Sequence, residues 1–236
     1  MASDVTGRIV AGLFLALMAV TPKSAPADST CFGTTAAGSL SDGCKLPSEG
    51  SNFESYSILG SWLGRTWVHC TVAQVVTDAY NSVSRAHPAT RWVYGETGLK
   101  SGGEFEPHKT HRNGLSVDFM VPVVNAQGKP ESFPGGLTNK FGYSLEFDDE
   151  GGLEDLRIDF EAIVAHLEAL RASAAEAGIG IQRVIFDPEL QPFLRESPRW
   201  AALEGIQFSK RRSWVRHDEH YHVDFDVACE PFGKMQ

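Results

Sequence analysis

The sequence predicts an α+β fold: a central antiparallel β-sheet with flanking helices and long loops. Two segments repeat apolar residues at spacings of three and four, the mark of amphipathic helices. Between and after them lie short strand-like segments, two of which alternate cleanly between apolar and polar residues. Helices interspersed with alternating strands favour an antiparallel sheet. With 236 residues, 42% hydrophobic and 22% charged, the chain has the composition of a globular domain with room for a sizeable core.

The first helix pattern starts at Thr71 and runs through Val72, Val75, Val76, Ala79, Tyr80 and Val83, until "HPAT" breaks it at Pro88. "RWVYGE" then reads as a strand, and "TGLKSGGEFEPHKTHRNG" as a Gly-rich loop. In "LSVDFMVPV", Leu115, Val117, Phe119 and Val121 share one face, while Ser116, Asp118 and Met120 share the other. Residues 124–157 are polar and Gly-rich, and read as a long loop or lid. The second helix follows Asp159, a good N-cap. Its stripe is Phe160, Ile163, Val164, Leu167 and Leu170, with Gly178 as the stop. "IQRVIFD" is a strand, and "PELQPFLRES" a short helix begun by Pro188. The last strand, "HYHVDFDVAC", puts His220, His222, Asp224 and Asp226 on one face, and Tyr221, Val223, Phe225 and Val227 on the other.

The N-terminus reads as a secretory signal peptide, residues 1–27. A polar start holding Arg8 precedes the apolar run Ile9–Val20, which is too short to span a bilayer. Ala25-Pro26-Ala27 then has the small-x-small form of a cleavage site. The mature protein is thus expected in the periplasm or secreted, with no stable membrane insertion. Residues 28–64, rich in Gly and Ser, read as an irregular arm. The net charge of −9 and the lack of a Lys/Arg tract exclude a nucleic-acid partner. Cys31, Cys44, Cys70 and Cys229 form an even set, which in an oxidising compartment implies two disulfides. Three connectivities are possible. Cys31–Cys44 as a local loop with Cys70–Cys229 as a long-range staple is the favoured one.

Five of the eight histidines fall in two short stretches, "EPHKTHRNGLSVDF" and "HDEHYHVDF". His220 and His222 are roughly 7 Å apart on one strand face. Asp118 emerges from the hydrophilic face of another strand, and His111 just precedes it. Pairing these strands brings all four together. Imidazole nitrogen and carboxylate oxygen suit zinc, and three protein ligands leave a fourth position for water, the arrangement of a catalytic site. His69, His87 and His166 stand alone, and read as surface or satisfied core residues.

The pieces "GGEFEPHKTHRNGLSVDFMVPV", "RVIFDPELQPFL" and "VRHDEHYHVDF" resemble the penicillin-insensitive murein endopeptidases. These belong to a wider metallopeptidase group with D-Ala-D-Ala dipeptidases, lysostaphin-type enzymes and hedgehog proteins. The resemblance covers roughly residues 65–229 and implies a zinc metallopeptidase domain over 65–236. It implies His111, Asp118 and His222 as the zinc ligands, His220 and His217 as catalytic histidines, and His108 as a further site group. Either His220 or His217 would move the water's proton, there being no H-E-x-x-H glutamate. The substrate implied is the peptide stems of peptidoglycan. D-alanyl–diaminopimelate and diaminopimelate–diaminopimelate cross-links are both accessible to such chemistry. Where the family pattern has two prolines before the first histidine, this chain has Glu106-Pro107, with Glu106 either solvated or facing substrate. Glu219, beside a strand, is expected to point to the surface. A D,D- or L,D-carboxypeptidase of the same fold is the alternative, and would need a cation for the terminal carboxylate. Arg65, Arg91 and Arg112 are the candidates. A non-catalytic zinc-containing cell-wall binding module is the remaining alternative.

Overall fold

The computed structural model describes residues 29–213 and 215–233, so the segment read as a signal peptide lies outside the described residues. The fold is α+β, as the sequence predicts. In chain order the elements are β1 (Thr30–Thr34), β2 (Ala37–Ser41), β3 (Cys44–Lys45), β4 (Phe53–Ser55), α1 (Ile58–Trp62), β5 (Trp67–Val68), α2 (Cys70–Val83) and β6 (Trp92–Tyr94). Then come β7 (Ser116–Met120), β8 (Val123–Asn125), β9 (Pro130–Glu131), β10 (Gly152–Leu153), β11 (Leu156–Ile158), α3 (Phe160–Glu176), β12 (Gly180–Ile185), α4 (Gln191–Arg195) and β13 (His220–Asp226).

The main sheet runs β12-β13-β7-β6-β4. All its pairings are antiparallel except β4 with β6, which is parallel. Both long helices begin at side-chain caps: His69 Nδ1 accepts the Thr71 N–H, and Asp159 Oδ1 accepts that of Ala162. Their apolar stripes cover one face of the sheet, with Tyr80 of α2 edge-on to Phe119 and His166 of α3 beside Tyr221. The core thus fills the layer between helices and sheet, where Tyr80, Val117, Leu167, Tyr221 and Val223 are wholly buried. The opposite face of β7 and β13 is the one that alternation makes hydrophilic. It is buried too, because loops cover it.

Three expectations need correction. Residues 28–64 are not an irregular arm. β1 and β2 form a hairpin there, and β4 adds the parallel edge strand to the main sheet. Short strands between Gly and Ser are hard to see in a sequence because their stability comes from distant partners. Residues 124–157 include most of a second, four-stranded sheet in the order β10-β11-β8-β9, besides the loop. The disulfides join Cys31 to Cys229 and Cys44 to Cys70. The first follows from β1 lying along residue 230, where backbone bonds link Gly33 N to Glu230 O and Glu230 N to Cys31 O. The second follows from Cys44 pairing with Val68, two residues before Cys70. Both bridges staple the N-terminal segment to the rest of the fold, with loops of sequence separation 198 and 26.

Candidate active site

β7 and β13 are neighbours, with His222 directly opposite Asp118 and Asp224 opposite Ser116. His222 lies between two carboxylates. Its Nδ1 is 2.9 Å from Asp118 Oδ1 and its Nε2 is 2.8 Å from Asp224 Oδ1. Asp224 is fixed in turn by the Ser116 hydroxyl and by Arg183 Nε, each at 2.5 Å. An Nε2–H donated to Asp224 leaves Nδ1 as the atom aimed at Asp118. Burial alone would depress this imidazole, but Asp224 and Asp118 outweigh it and lift its pKa to about 10.

His111 enters from the loop before β7. Its φ of +68° is a left-handed conformation, uncommon outside glycine. Nδ1 lies 3.3 Å from the Thr97 carbonyl. A ring N–H donated there leaves Nε2 buried, without a hydrogen bond, and 3.2 Å from Asp118 Oδ1. Burial, the largest cause, lowers the His111 pKa. Asp118 Oδ1 is thus the meeting point, also 3.8 Å from His220 Nε2, while Oδ2 accepts the Tyr143 hydroxyl at 3.0 Å. Burial would raise this carboxyl. The nearby charges of His111 and His220 outweigh this and hold it well below the usual range.

Zinc bonds of about 2.0–2.2 Å in a tetrahedral site set neighbouring donors roughly 3.3 Å apart. The 2.9 and 3.2 Å separations here are close to that, and an orphaned buried nitrogen is what a cation would satisfy. His111 and Asp118 therefore present donors that suit a metal. His108, His111 and Asp118 also form a group that could hold one, with ligand atoms all within 4.8 Å of each other. His108 Nε2 also lies 2.5 Å from Glu96 Oε2.

The segment "YGETG", residues 94–98, forms one wall. A Cβ at Gly95 would lie 2.3 Å from Tyr143 Oη and 2.9 Å from Asp118 Cβ, so only glycine lets those groups approach. Glu96 binds His108, Arg65 and the Tyr56 hydroxyl, and its backbone N–H donates to Tyr143 Oη at 2.7 Å. On the other side Glu219, buried rather than at the surface, sits 2.8 Å from His220 Nδ1. Strand alternation does not reach it, because β13 begins at His220. His217, also left-handed at φ +58°, stacks obliquely 4.6 Å from the His220 ring. Burial first, then the charge of His220, push His217 down to about 4.

A cavity of about 750 Å³ opens onto His108, His217, His220 and His222. All six residues singled out in the sequence converge on this place. Of the three arginines, Arg65 lines the cavity, held by Glu96. Arg91 pairs with Glu54 elsewhere, and Arg112 does not line it. His69, His87 and His166 lie outside the site, as expected. Glu96, Tyr143 and the role of Glu219 were missed. The only local signal for Glu96 was its place between two glycines just ahead of the histidine loop.

A family model described as penicillin-insensitive murein endopeptidase matches residues 31–233. The match therefore takes in the hairpin and the edge strand β4, beyond the stretch that carries the sequence resemblance. No curated protein matches the chain. A family match over so much of the chain, joined to a buried histidine–aspartate centre beneath an open cavity, places it: the chain belongs to the penicillin-insensitive murein endopeptidases, peptidases that act on peptidoglycan.

Proposed function

We propose that this protein is an exported zinc-dependent endopeptidase of the D,D type, hydrolysing the peptide cross-links of peptidoglycan. The observation that carries the metal assignment is the convergence of His111 Nε2 and His222 Nδ1 on Asp118 Oδ1, each ring oriented through its other nitrogen. His111, Asp118 and His222 are the ligands in this reading. His108, engaged with Glu96, is a wall group beside them. When bound, zinc supplies Lewis-acid polarisation of a scissile carbonyl and of water.

The chain's own residues supply the proton transfers. His220 donates Nδ1–H to Glu219, which leaves Nε2 facing the centre as a base. It takes a proton from the attacking water as oxygen bonds to the carbonyl carbon. It then delivers a proton to the leaving nitrogen as the C–N bond breaks. His217, with Nδ1 2.8 Å from the Val215 carbonyl, stands beside it as the second catalytic histidine. Tyr143 and Glu96 hold Asp118 and His108 in place. Two disulfides support an oxidising compartment, and no helix of the described residues is long and apolar enough to cross a membrane.

The test is digestion of purified murein followed by product masses. An endopeptidase converts cross-linked dimers to monomers, adding one water per bond cut. Chelation abolishes this and zinc restores it. Cleavage that persists in metal-free protein overturns the zinc assignment. Release of single terminal amino acids favours the carboxypeptidase reading, for which Arg65 in the cavity wall would be the carboxylate anchor.

A further inference from the structure

The 3₁₀ turn Leu137–Gly142 has two consecutive side-chain-bearing residues in the left-handed region, Lys140 at φ +53° and Phe141 at φ +60°. Glycine would take this conformation without strain, and three glycines lie within five residues of Lys140. The turn is held rigid around them. Asn139 Oδ1 accepts the N–H groups of Gly136 and Gly142, its Nδ2 donates to the Pro134 carbonyl, and Phe141 N donates to Gly136 O. Both strained residues line the cavity. Phe141 lies edge-on to Tyr56, and the turn runs on into Tyr143, whose hydroxyl reaches Asp118. The strain thus presents two side chains at the mouth of the site, an outlier of the kind that marks ligand clamps.

Charge says what those side chains meet. The whole chain carries −9, yet the cavity is lined by Arg65, Lys109, Lys140 and Arg183 against a single carboxylate, Glu96. Glu96 is engaged by Arg65 and His108, and Arg183 by Asp224. The Lys140 ammonium makes no hydrogen bond or ion pair among the described residues, and it is exposed. A cationic cavity in an acidic protein selects an anionic ligand.

We propose that Lys140 is a specificity residue that reads a free carboxylate on the peptide stem beside the scissile bond. The enzyme would then favour cross-links whose stem residues keep their carboxylates over the same cross-links with carboxamides. This rests on the peptidase reading above.

Two synthetic cross-linked stem dimers, identical except for carboxylate or carboxamide at that residue, test it with the full chain. The carboxylate dimer is expected to have a kcat/KM about tenfold higher, the low end for a charge-assisted contact, expressed mainly in KM. Lys140→Gln narrows the ratio to within about threefold by raising KM on the carboxylate dimer, whereas Lys140→Arg preserves the ratio and shows that the turn tolerates replacement. Equal kcat/KM for the two dimers in the unmodified protein, or a ratio that Lys140→Gln leaves unchanged, overturns the proposal and leaves the peptidase reading standing. If neither dimer is cut, the peptidase reading itself fails and the proposal with it.

Discussion

Two fully buried histidines lie on opposite sides of one sheet, and their surroundings push their pKa values in opposite directions. His222 projects from β13 between Asp118 and Asp224, and its pKa is raised to about 10. His166 projects from α3 toward the other face of the same strand, where Nδ1 meets Tyr221 Oη at 2.6 Å. It is stacked on Tyr80 at 4.9 Å and edge-on to Phe119 at 4.8 Å. Desolvation takes its pKa to about 3. Burial is the same for both. The partners decide the direction: two carboxylates lift one ring, and an aromatic layer with a single hydroxyl leaves the other a neutral piece of core.

The largest effects should come from breaking the carboxylate-lined side. His222→Ala, His111→Ala and Asp118→Ala are each expected to lose the metal and to lower muropeptide cleavage by about 10³-fold or more, since each leaves two ligands. His166→Phe should keep both metal and cleavage. Elemental analysis alongside murein digestion measures the contrast. Metal lost on His111→Ala and Asp118→Ala but retained by His222→Ala would assign the cation to the group of His108, His111 and Asp118 instead.

Next comes the separation of catalysis from metal binding. His220→Ala should keep zinc yet lose about 10²–10⁴-fold in kcat, the contribution of a positioned acid–base group. If it loses zinc as completely as His222→Ala, His220 is a ligand and His217 becomes the better proton carrier. Glu219→Gln is a milder version of the same test. It retains an acceptor for His220 Nδ1–H but drops the charge, so about a tenfold fall in kcat with unchanged zinc is expected. An unchanged kcat would return Glu219 to a purely structural role.

The contrast between the two histidines was half legible in the sequence. Strand period alone put His220, His222 and Asp224 on one face and Tyr221, Val223 and Phe225 on the other. The alternation in 115–123 aimed Asp118 the same way. Helix spacing found both long helices, though α2 ends at Val83, before the "HPAT" that reads as its break. What stayed hidden depends on distance along the chain. Glu96 meets Arg65, His108 and Tyr56 only after folding, Tyr143 arrives from a loop, and the cysteine partners are chosen by strands that pair over long separations. Glu219 was misplaced because the period-two rule was extended one residue past the start of β13.

The neutral side of the comparison can be read from stability against pH. An unfolded histidine titrates near 6.5, whereas His166 in the fold stays neutral down to about 3. Below pH 6.5 the unfolded chain therefore binds a proton that the folded chain does not. Stability contributed by the neutral ring is full above that pH and falls as pH drops, by up to ~1.4 kcal/mol per pH unit. His166→Phe removes this slope while leaving every other titrating group in place. It also strips Tyr221 Oη, wholly buried, of its partner, which costs about 1–3 kcal/mol at neutral pH. The unmodified protein should thus be the more stable of the two at pH 7.5. Its advantage should shrink by about 2 kcal/mol by pH 5, to within about 1 kcal/mol of zero. Urea midpoints for both proteins at pH 7.5, 6 and 5 give the difference directly. A difference that does not change with pH would mean that His166 takes up its proton inside the fold, and that the helix side of the sheet is not the dry aromatic layer its neighbours imply.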